Sequence, residues 1–355
     1  MNKPRYLLFG NAESVHMLKW AKELVKHFDV FIISPLGVHS DILNIIPDSN
    51  IVTLYLKLNP DGGNVALLKK LFLFKKLIKQ INPAIVNAHY ITSHGFIAAL
   101  IKSLLGLKYV LVQSAWGTDI LVTPNKSYFY KFITKYSLNK ANVVTSDSEY
   151  MSDVIKKLSK TKCITFPFGL DSLPDAKIED KDDNLCFSNR ALTENYNIDN
   201  VIYAFASMVF KNEKLRLVIA NDGSMRNELI EITKNIGLSD RIEFKGFLSA
   251  SQQNEIYKKS TYYFSLPTSD STSVSLLEAM AYGCVPILSD LPANKEWVVN
   301  GKNGVIYKSK EDFVNHIPEK LVAFNENRNI ISKRAIFNDS ILNLVNNLKQ
   351  SFNIQ

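Results

Sequence analysis

Two carboxylates eight positions apart, Asp270 and Glu278, flank a run of small polar residues, Ser271, Thr272 and Ser273, that leads into an apolar segment starting at Val274. Short side chains leave backbone N–H groups uncovered. A helix starting here presents its unpaired donors and the positive end of its dipole over 271–274. Such an end attracts phosphate. Glu278, roughly a turn further along, is placed to accept hydrogen bonds from sugar hydroxyls rather than to repel an anion at the helix end. The chemistry suggested is recognition of a phosphate together with hydroxyls. A capped helix with an exposed Glu would leave the same signature.

The elements that must hold these groups are legible nearby. The apolar segment stops at Gly283, and a β-like run, Val285 to Ser289, follows directly. Loop, helix, glycine stop and strand succeed one another as in an α/β sheet. The whole run from Thr268 to Asp290 resembles the nucleotide-sugar site of retaining glycosyltransferases of the GT-B fold, family 4. Their pattern is Glu-Gly-Phe-Gly-Leu-x-Leu-Leu-Glu-Ala-Met-Ala-x-Gly-x-Pro-Val. Here Asp270 stands at the first Glu and Glu278 at the second, Ser271 and Ser273 replace two glycines, and the helix, Gly283 and Pro286 match. The resemblance runs from about residue 5 to residue 310, strongest over 262–304 and moderate over 83–120. It implies an α/β chain with two Rossmann-like parallel-sheet domains facing each other across a cleft.

Composition sets the bounds. At 355 residues the chain is long for one core, so two domains are expected. Hydrophobic residues at 46% and charged ones at 21% describe a globular protein. Three distant cysteines, Cys163, Cys186 and Cys284, have neither metal-ligand spacing nor a disulfide framework, which suits a reducing cytoplasm. Residues 1–20 lack a signal-peptide layout, and no apolar run reaches membrane-span length. A cytoplasmic protein is expected, peripheral at the inner face of the plasma membrane if its basic half meets lipid. The net charge of +8 divides into +11 for residues 1–170 and −3 for the rest. One half therefore faces something anionic. No helix-turn-helix, RNP-like or zinc-finger pattern supports nucleic acid, which leaves an anionic membrane surface or a lipid-phosphate acceptor.

Taken in order, Tyr6 to Phe9 reads as a strand, followed by a loop at Gly10 and Asn11 and a helix over 15–28 that Ser14 can cap. Gly-x-Gly-x-x-Gly is missing, which argues against a nicotinamide or flavin site. Residues 66–80 and 126–140 read as basic amphipathic helices, either solvated faces or surfaces for an anionic bilayer. A strand from Pro83 delivers His89 at its end, a helix starts at Gly95, and the strand Tyr109–Gln113 leads into a loop containing Trp116, Gly117 and Asp119. Residues 172–183 are acidic and turn-rich and read as the linker. The second half opens with a strand ending at Asn189 and Arg190. Later come a strand ending at Gly246 and polar amphipathic helices between Glu311 and Leu348.

The resemblance assigns roles. It implies domains at 1–172 (acceptor side) and 173–335 (nucleotide-sugar side), with 336–355 as a terminal helix packing back on the first. Gly10 and Asn11 would lie near donor phosphates or acceptor, Arg190 would clasp the diphosphate, and Gly246 would meet the base through its backbone. Ser271, Thr272, Ser273 and Val274 with Asp270 would hold the donor sugar, and Glu278 the ribose hydroxyls. The family has a Lys where this chain has Asn195, and many members have a His where it has Trp116. His89 is the substitute for that His, with Asp119 as its polar partner, and Arg226 is a candidate second cation. The implied reaction moves a sugar with retention from a UDP- or GDP-sugar to a glycan or lipid-linked glycan in bacterial surface polysaccharide synthesis. No metal ligand set and no further cofactor is expected, since no Asp-x-Asp is suitably placed. A non-catalytic nucleotide-sugar-binding subunit and a sugar-nucleotide epimerase are the competing readings.

Overall fold

A computed structural model describes residues 3–57, 65–308 and 313–354. Glu311, one end of the expected C-terminal helices, lies outside the described residues. The chain forms two compact units, Met1–Phe166 with Asn338–Gln355, and Pro167–Phe337. The segment 167–172, read in sequence as part of the first domain, groups with the second.

The first unit is built on seven parallel strands: β1 (Arg5–Phe9), β2 (Asp29–Ser34), β3 (Ile51–Thr53), β4 (Ile85–His89), β5 (Val110–Ser114), β6 (Val143–Ser146) and β7 (Cys163–Thr165), in the order 3-2-1-4-5-6-7. Helices cover both faces, so β4 is buried at all five positions and reads as a continuous rather than an alternating apolar run. Phe74, Ile78, Ile97 and Ile101 from the helices Leu71–Ile81 and Phe96–Leu104 pack with Leu7, Phe9 and Val86 into one core. Within the sheet, Ser114 Oγ donates to Asn87 Oδ1 at 3.0 Å and accepts from Thr145 Oγ1 at 2.9 Å, a rung that pairs the side-chain oxygens of these buried strand residues.

The second unit holds six parallel strands: β8 (Asp182–Ser188), β9 (Arg216–Ala220), β10 (Ile242–Gly246), β11 (Ser260–Ser265), β12 (Val285–Ser289) and β13 (Val305–Tyr307), in the order 10-9-8-11-12-13. Strand order reverses in each sheet, between β1 and β4 in one and between β8 and β11 in the other. At such reversals successive crossovers leave on opposite faces and open a crevice beyond the strands' C-terminal ends. Both reversals lie beside residues that the sequence singles out.

Several local expectations need correction. The first helix closes at Leu24, not 28, with Ser14 Oγ accepting from Met17 N at 3.1 Å. The basic stretch 66–80 is two helices, Val65–Lys69 and Leu71–Ile81, because Lys70 leaves helical geometry at φ −95°, ψ 9°. A π-helical turn, Tyr90–Gly95, precedes the helix expected from Gly95. The helix placed at 126–140 starts at Tyr128, capped by Ser127. The expected linker 172–183 is not free chain at its end. Lys181 is buried, and its Nζ donates to the carbonyls of Tyr257 at 2.8 Å and Ser260 at 2.7 Å.

Candidate active site

The reversal between β8 and β11 brings together groups that are eighty positions apart. Arg190, just past the end of β8, is 8% exposed, and its Nη2 donates to Asp270 Oδ2 at 2.6 Å. Its Nη1 donates to Ser273 Oγ and reaches Ser275 Oγ at 3.4 Å. The guanidinium lies over the Tyr196 ring, 4.4 Å from its centroid. The fork is thus held flat between an aromatic face and a carboxylate, a geometry that lysine cannot reproduce. Burial pushes the Asp270 carboxyl above its usual range while the Arg190 charge pulls it back down.

Asp270 Oδ1 also accepts from Ser271 N at 3.0 Å, which fixes the start of the loop. Ser271, Thr272 and Ser273 are all buried rather than exposed. The Trp297 indole donates to Thr272 Oγ1 at 3.2 Å. Ser273 occupies the N-cap of the helix Val274–Ala281 with extended backbone, φ −75° and ψ 126°, yet its hydroxyl makes no cap bond to that helix. Having turned that oxygen toward Arg190, it leaves the first-turn N–H groups directed at whatever sits beyond the helix end. The helix stops at Gly283, where φ is +76° and an added Cβ would overlap the Phe324 ring.

Asn195, at the family's Lys position, does not reach toward this helix end. It stitches the loop: its carbonyl accepts from Thr268 N at 2.8 Å, its Nδ2 donates to Ser269 O at 3.1 Å, and its Oδ1 accepts from Thr268 Oγ1 at 2.9 Å. Arg226 is occupied elsewhere. Its Nη1 lies 3.8 Å from Asp222 Oδ2 and its Nη2 reaches Phe244 O at 3.4 Å. That places it beside Gly246, where β10 ends at φ +67° and Asn221 N donates to Gly246 O at 2.6 Å.

Glu278 is half-buried one turn and more along the helix, and its Oε2 lies 3.3 Å from the Tyr257 hydroxyl. That hydroxyl accepts from Asn189 Nδ2 at 2.8 Å, and Asn189 Oδ1 in turn accepts from Tyr263 at 3.0 Å. Burial raises the Tyr257 phenol well above its usual range, so it stays a neutral donor beside the carboxylate. Asn189, Tyr257, Tyr263 and Tyr196 are the members sequence reasoning missed. They come from separate strands and a separate helix, and their only local sign was adjacency to Arg190 in the case of Asn189.

In the first unit the reversal between β1 and β4 sets Gly10 against His89: a Cβ on Gly10 would lie 3.0 Å from the His89 Cβ and 2.9 Å from Met17 Cε. Asn11 closes the turn, its Oδ1 accepting from Glu13 N at 3.0 Å and its carbonyl from Ser14 Oγ at 3.1 Å. His89 is buried against Trp20 and Trp116, ring centroids 5.4 and 5.5 Å away, and its Nε2 has no hydrogen-bond partner among the described residues. Burial, followed by the nearby His94 and His16, lowers its pKa to about 3. It is a neutral imidazole at ordinary pH. Asp119 is not its polar partner, contrary to expectation. The Asp119 oxygens accept from Ile91 N at 2.8 Å and Trp116 N at 3.0 Å, so this carboxylate ties together the loops after β4 and β5. Burial raises it to about 6 against those N–H donors. Trp116, where a His was expected, lies 4.9 Å from His16 and stacks at 6.1 Å on Tyr90, which holds an unusual φ of +68°.

Residues 5–148 match the model described as glycosyl transferase 4-like, and residues 171–336 the one described as glycosyl transferases group 1. The alpha-monoglucosyldiacylglycerol synthase of Streptococcus pneumoniae is 25% identical over 209 residues, 54% of this chain and 47% of that protein. The N-acetyl-alpha-D-glucosaminyl L-malate synthase of Bacillus anthracis is 25% identical over 248 residues, 65% and 63% of the two chains. The chain thus spans about half to two thirds of the length of these relatives. Among solved structures, Alr3699/HepE from Anabaena, crystallised with UDP, superposes with a TM-score of 0.76 at 13% identity, covering 98% of this chain and all of that one. At that identity the likeness is one of fold.

Proposed function

The chain belongs to the glycosyl transferases group 1 family and has the GT-B fold, and from that premise we propose that it moves a sugar from a UDP- or GDP-sugar to a hydroxyl of a glycan or lipid-linked glycan. The observation that carries this reading is Arg190, buried at a sheet reversal and aimed at Ser273, whose hydroxyl is turned from the helix end it would otherwise cap. A guanidinium and a helix N-terminus converge where a diphosphate's charge grows as the glycosidic bond breaks. This is stabilisation by preorganised donors, with no proton transferred.

In this reading Arg190 and the N–H groups of Ser273 and Val274 take the diphosphate, Glu278 the ribose hydroxyls, and the Gly246 backbone the base. Asp270, with Ser271 and Thr272, takes donor-sugar hydroxyls, which requires its bond to Arg190 to be shared or exchanged on binding. The ends of β1 and β4, with Gly10, Asn11 and His89, serve the acceptor, and Asp119 shapes that surface through its loop bonds. We assign the reaction no metal, and retention on one sugar face, since in this reading Asp270 and Glu278 are both given to hydroxyls of the donor and neither serves as a nucleophile. A cytoplasmic enzyme of bacterial surface polysaccharide synthesis, working at a membrane, is consistent with the basic first half. The name of the pneumococcal synthase, which refers to a diacylglycerol, supports a lipid-borne acceptor.

Thermal shift against UDP-, GDP- and ADP-sugars tests donor choice, since a ligand that binds only the native state raises Tm by mass action. Release of nucleoside diphosphate on adding acceptor, unaffected by EDTA, tests transfer. A second reading, a nucleotide-sugar-binding subunit without turnover, is favoured by the existing Arg190–Asp270 pair and by Asn195 being spent on its own loop. Donor-induced stabilisation with no diphosphate release under any acceptor would select it.

A further inference from the structure

Between Asp61 and Asp147 the sequence carries eleven lysines and one carboxylate, Asp119, which is buried. Every charge this stretch shows to solvent is therefore positive. Three of its helices, Leu71–Ile81, Phe96–Leu104 and Tyr128–Lys140, cover the first sheet with successive neighbours touching, and the first two bury their apolar sides in one core. Lys102, on the middle one, reaches Lys140 O at 3.5 Å.

What these helices leave outside is unusual. On the 128–140 helix Tyr128 is 93% exposed, Phe129 68% and Phe132 63%; on the 71–81 helix Phe72 is 72% exposed; at the end of the middle helix Leu104 is 70% exposed. Exposed lysines share the same stripes. Tyr128, Lys131, Phe132 and Lys135 recur at three- and four-residue spacing, as do Phe72, Lys76 and Lys79. Single exposed apolar residues are ordinary, but large rings clustered among uncompensated lysines mark an interaction surface.

We propose that this face docks on an anionic lipid bilayer, with Phe129 and Phe132 entering the interfacial layer and the neighbouring lysines lying over lipid phosphates. The charge selects an anionic partner. The phenylalanines, which have no polar atom to offer, select one with an apolar layer directly beneath its charges. A purely polar polyanion would be served by the lysines and would leave the rings in water. Among the described residues no helix is long and apolar enough to cross a membrane, so the contact is one of lying on the surface. The proposal takes the lipid-linked acceptor above as its functional reason. Its test needs neither donor nor acceptor, so the two can fail separately.

The test is co-sedimentation of the full chain with phosphatidylcholine vesicles, with and without phosphatidylglycerol, at low and high salt. The protein should pellet only with the anionic vesicles and be released as salt screens the lysines. Phe129→Ser/Phe132→Ser, which keeps every charge, should weaken the partitioning about tenfold or more, and Lys131→Gln/Lys135→Gln should weaken it with a shallower salt dependence. Unchanged circular dichroism melts verify that both variants fold. Protein remaining in the supernatant at low salt overturns the proposal, as does equal binding to neutral vesicles. Undiminished binding by the serine variant also overturns it, and points to a polar polyanion such as nucleic acid.

Discussion

Arg190 and Asp270 are ion-paired at 2.6 Å across the join of β8 and β11, with the arginine almost wholly buried. In the proposed reading the pair neutralises the cation assigned to the donor phosphates, while Asn195 brings no charge and Arg226 is held by Asp222 and Phe244. Taking either partner away leaves the other charge buried and exposed to the full cost of desolvation. In that reading the pair sets how the second unit meets an anion.

Asp270→Asn should separate two functions. With the carboxylate gone, Arg190 is free for phosphate, so a bare nucleoside diphosphate binds more tightly, by about 1 kcal/mol or more. The donor-sugar hydroxyls then meet a neutral amide oxygen in place of a charged hydrogen-bond acceptor, so kcat/KM for transfer falls about a hundredfold. Calorimetric titration with UDP and GDP, beside steady-state rates, checks both. Weaker nucleotide binding in the variant would contradict the assignment.

Glu278→Gln should leave the fold intact, since Tyr257 can still donate to an amide oxygen. If Glu278 holds ribose hydroxyls, the loss of a charged acceptor costs about 1.5–3 kcal/mol of donor binding. The effect should appear in donor KM and be much smaller for the deoxyribose analogue of the donor. An equal effect on both analogues would remove the ribose role.

Acid should unfold the first unit selectively. Burial lowers His89 to about 3 and His94 and His16 to about 4. A histidine whose folded pKa lies below the unfolded value of about 6.5 contributes full stability above 6.5 and loses it as pH falls toward the folded value. At pH 5 each costs about 2 kcal/mol, about 6 in all. Asp119 works the other way: raised to about 6, it favours the protonated native state and returns about 1 kcal/mol over the same interval. Hydrogen-exchange mass spectrometry from pH 7 to pH 5, corrected for intrinsic rates, should show protection lost over residues 3–166 before 167–337. Uniform loss would refute this.

Gly283→Ala introduces a side chain at φ +76° and drives it into Phe324. A destabilisation of about 3 kcal/mol follows from strain plus overlap. Adding Phe324→Ala removes the overlap but keeps the strain, so the double variant should be more stable than the sum of the single changes predicts, by about 1 kcal/mol. Urea denaturation of the four proteins measures the coupling, and strict additivity would show that the ring moves aside.

Much of the fold was legible because its signals are local. Apolar runs alternating with helical periods mark a parallel α/β chain, Ser14 caps its helix through a bond three residues long, and Gly283 stops another because its own backbone needs a positive φ. The linker was misjudged because Lys181 is read as polar, whereas its burial depends on carbonyls of Tyr257 and Ser260 that no local window contains.

The amino-acid sequence by itself determined which side chains were available to the candidate sites: the Asp270–Glu278 spacing, the small residues at the helix start, Arg190 at a strand end, and a basic stretch with one carboxylate. Tertiary structure alone decided what those groups touch. Strand order in a parallel sheet is set by the direction in which each crossover returns, which local periodicity does not encode. The reversal of that order is what places Arg190 on Asp270 and Gly10 on His89. The same reversal packs Tyr257 beneath Glu278, while Asp119 turns to its loops instead of to His89. Spacing along a chain fixes neighbours only within an element, and these sites are assembled between elements.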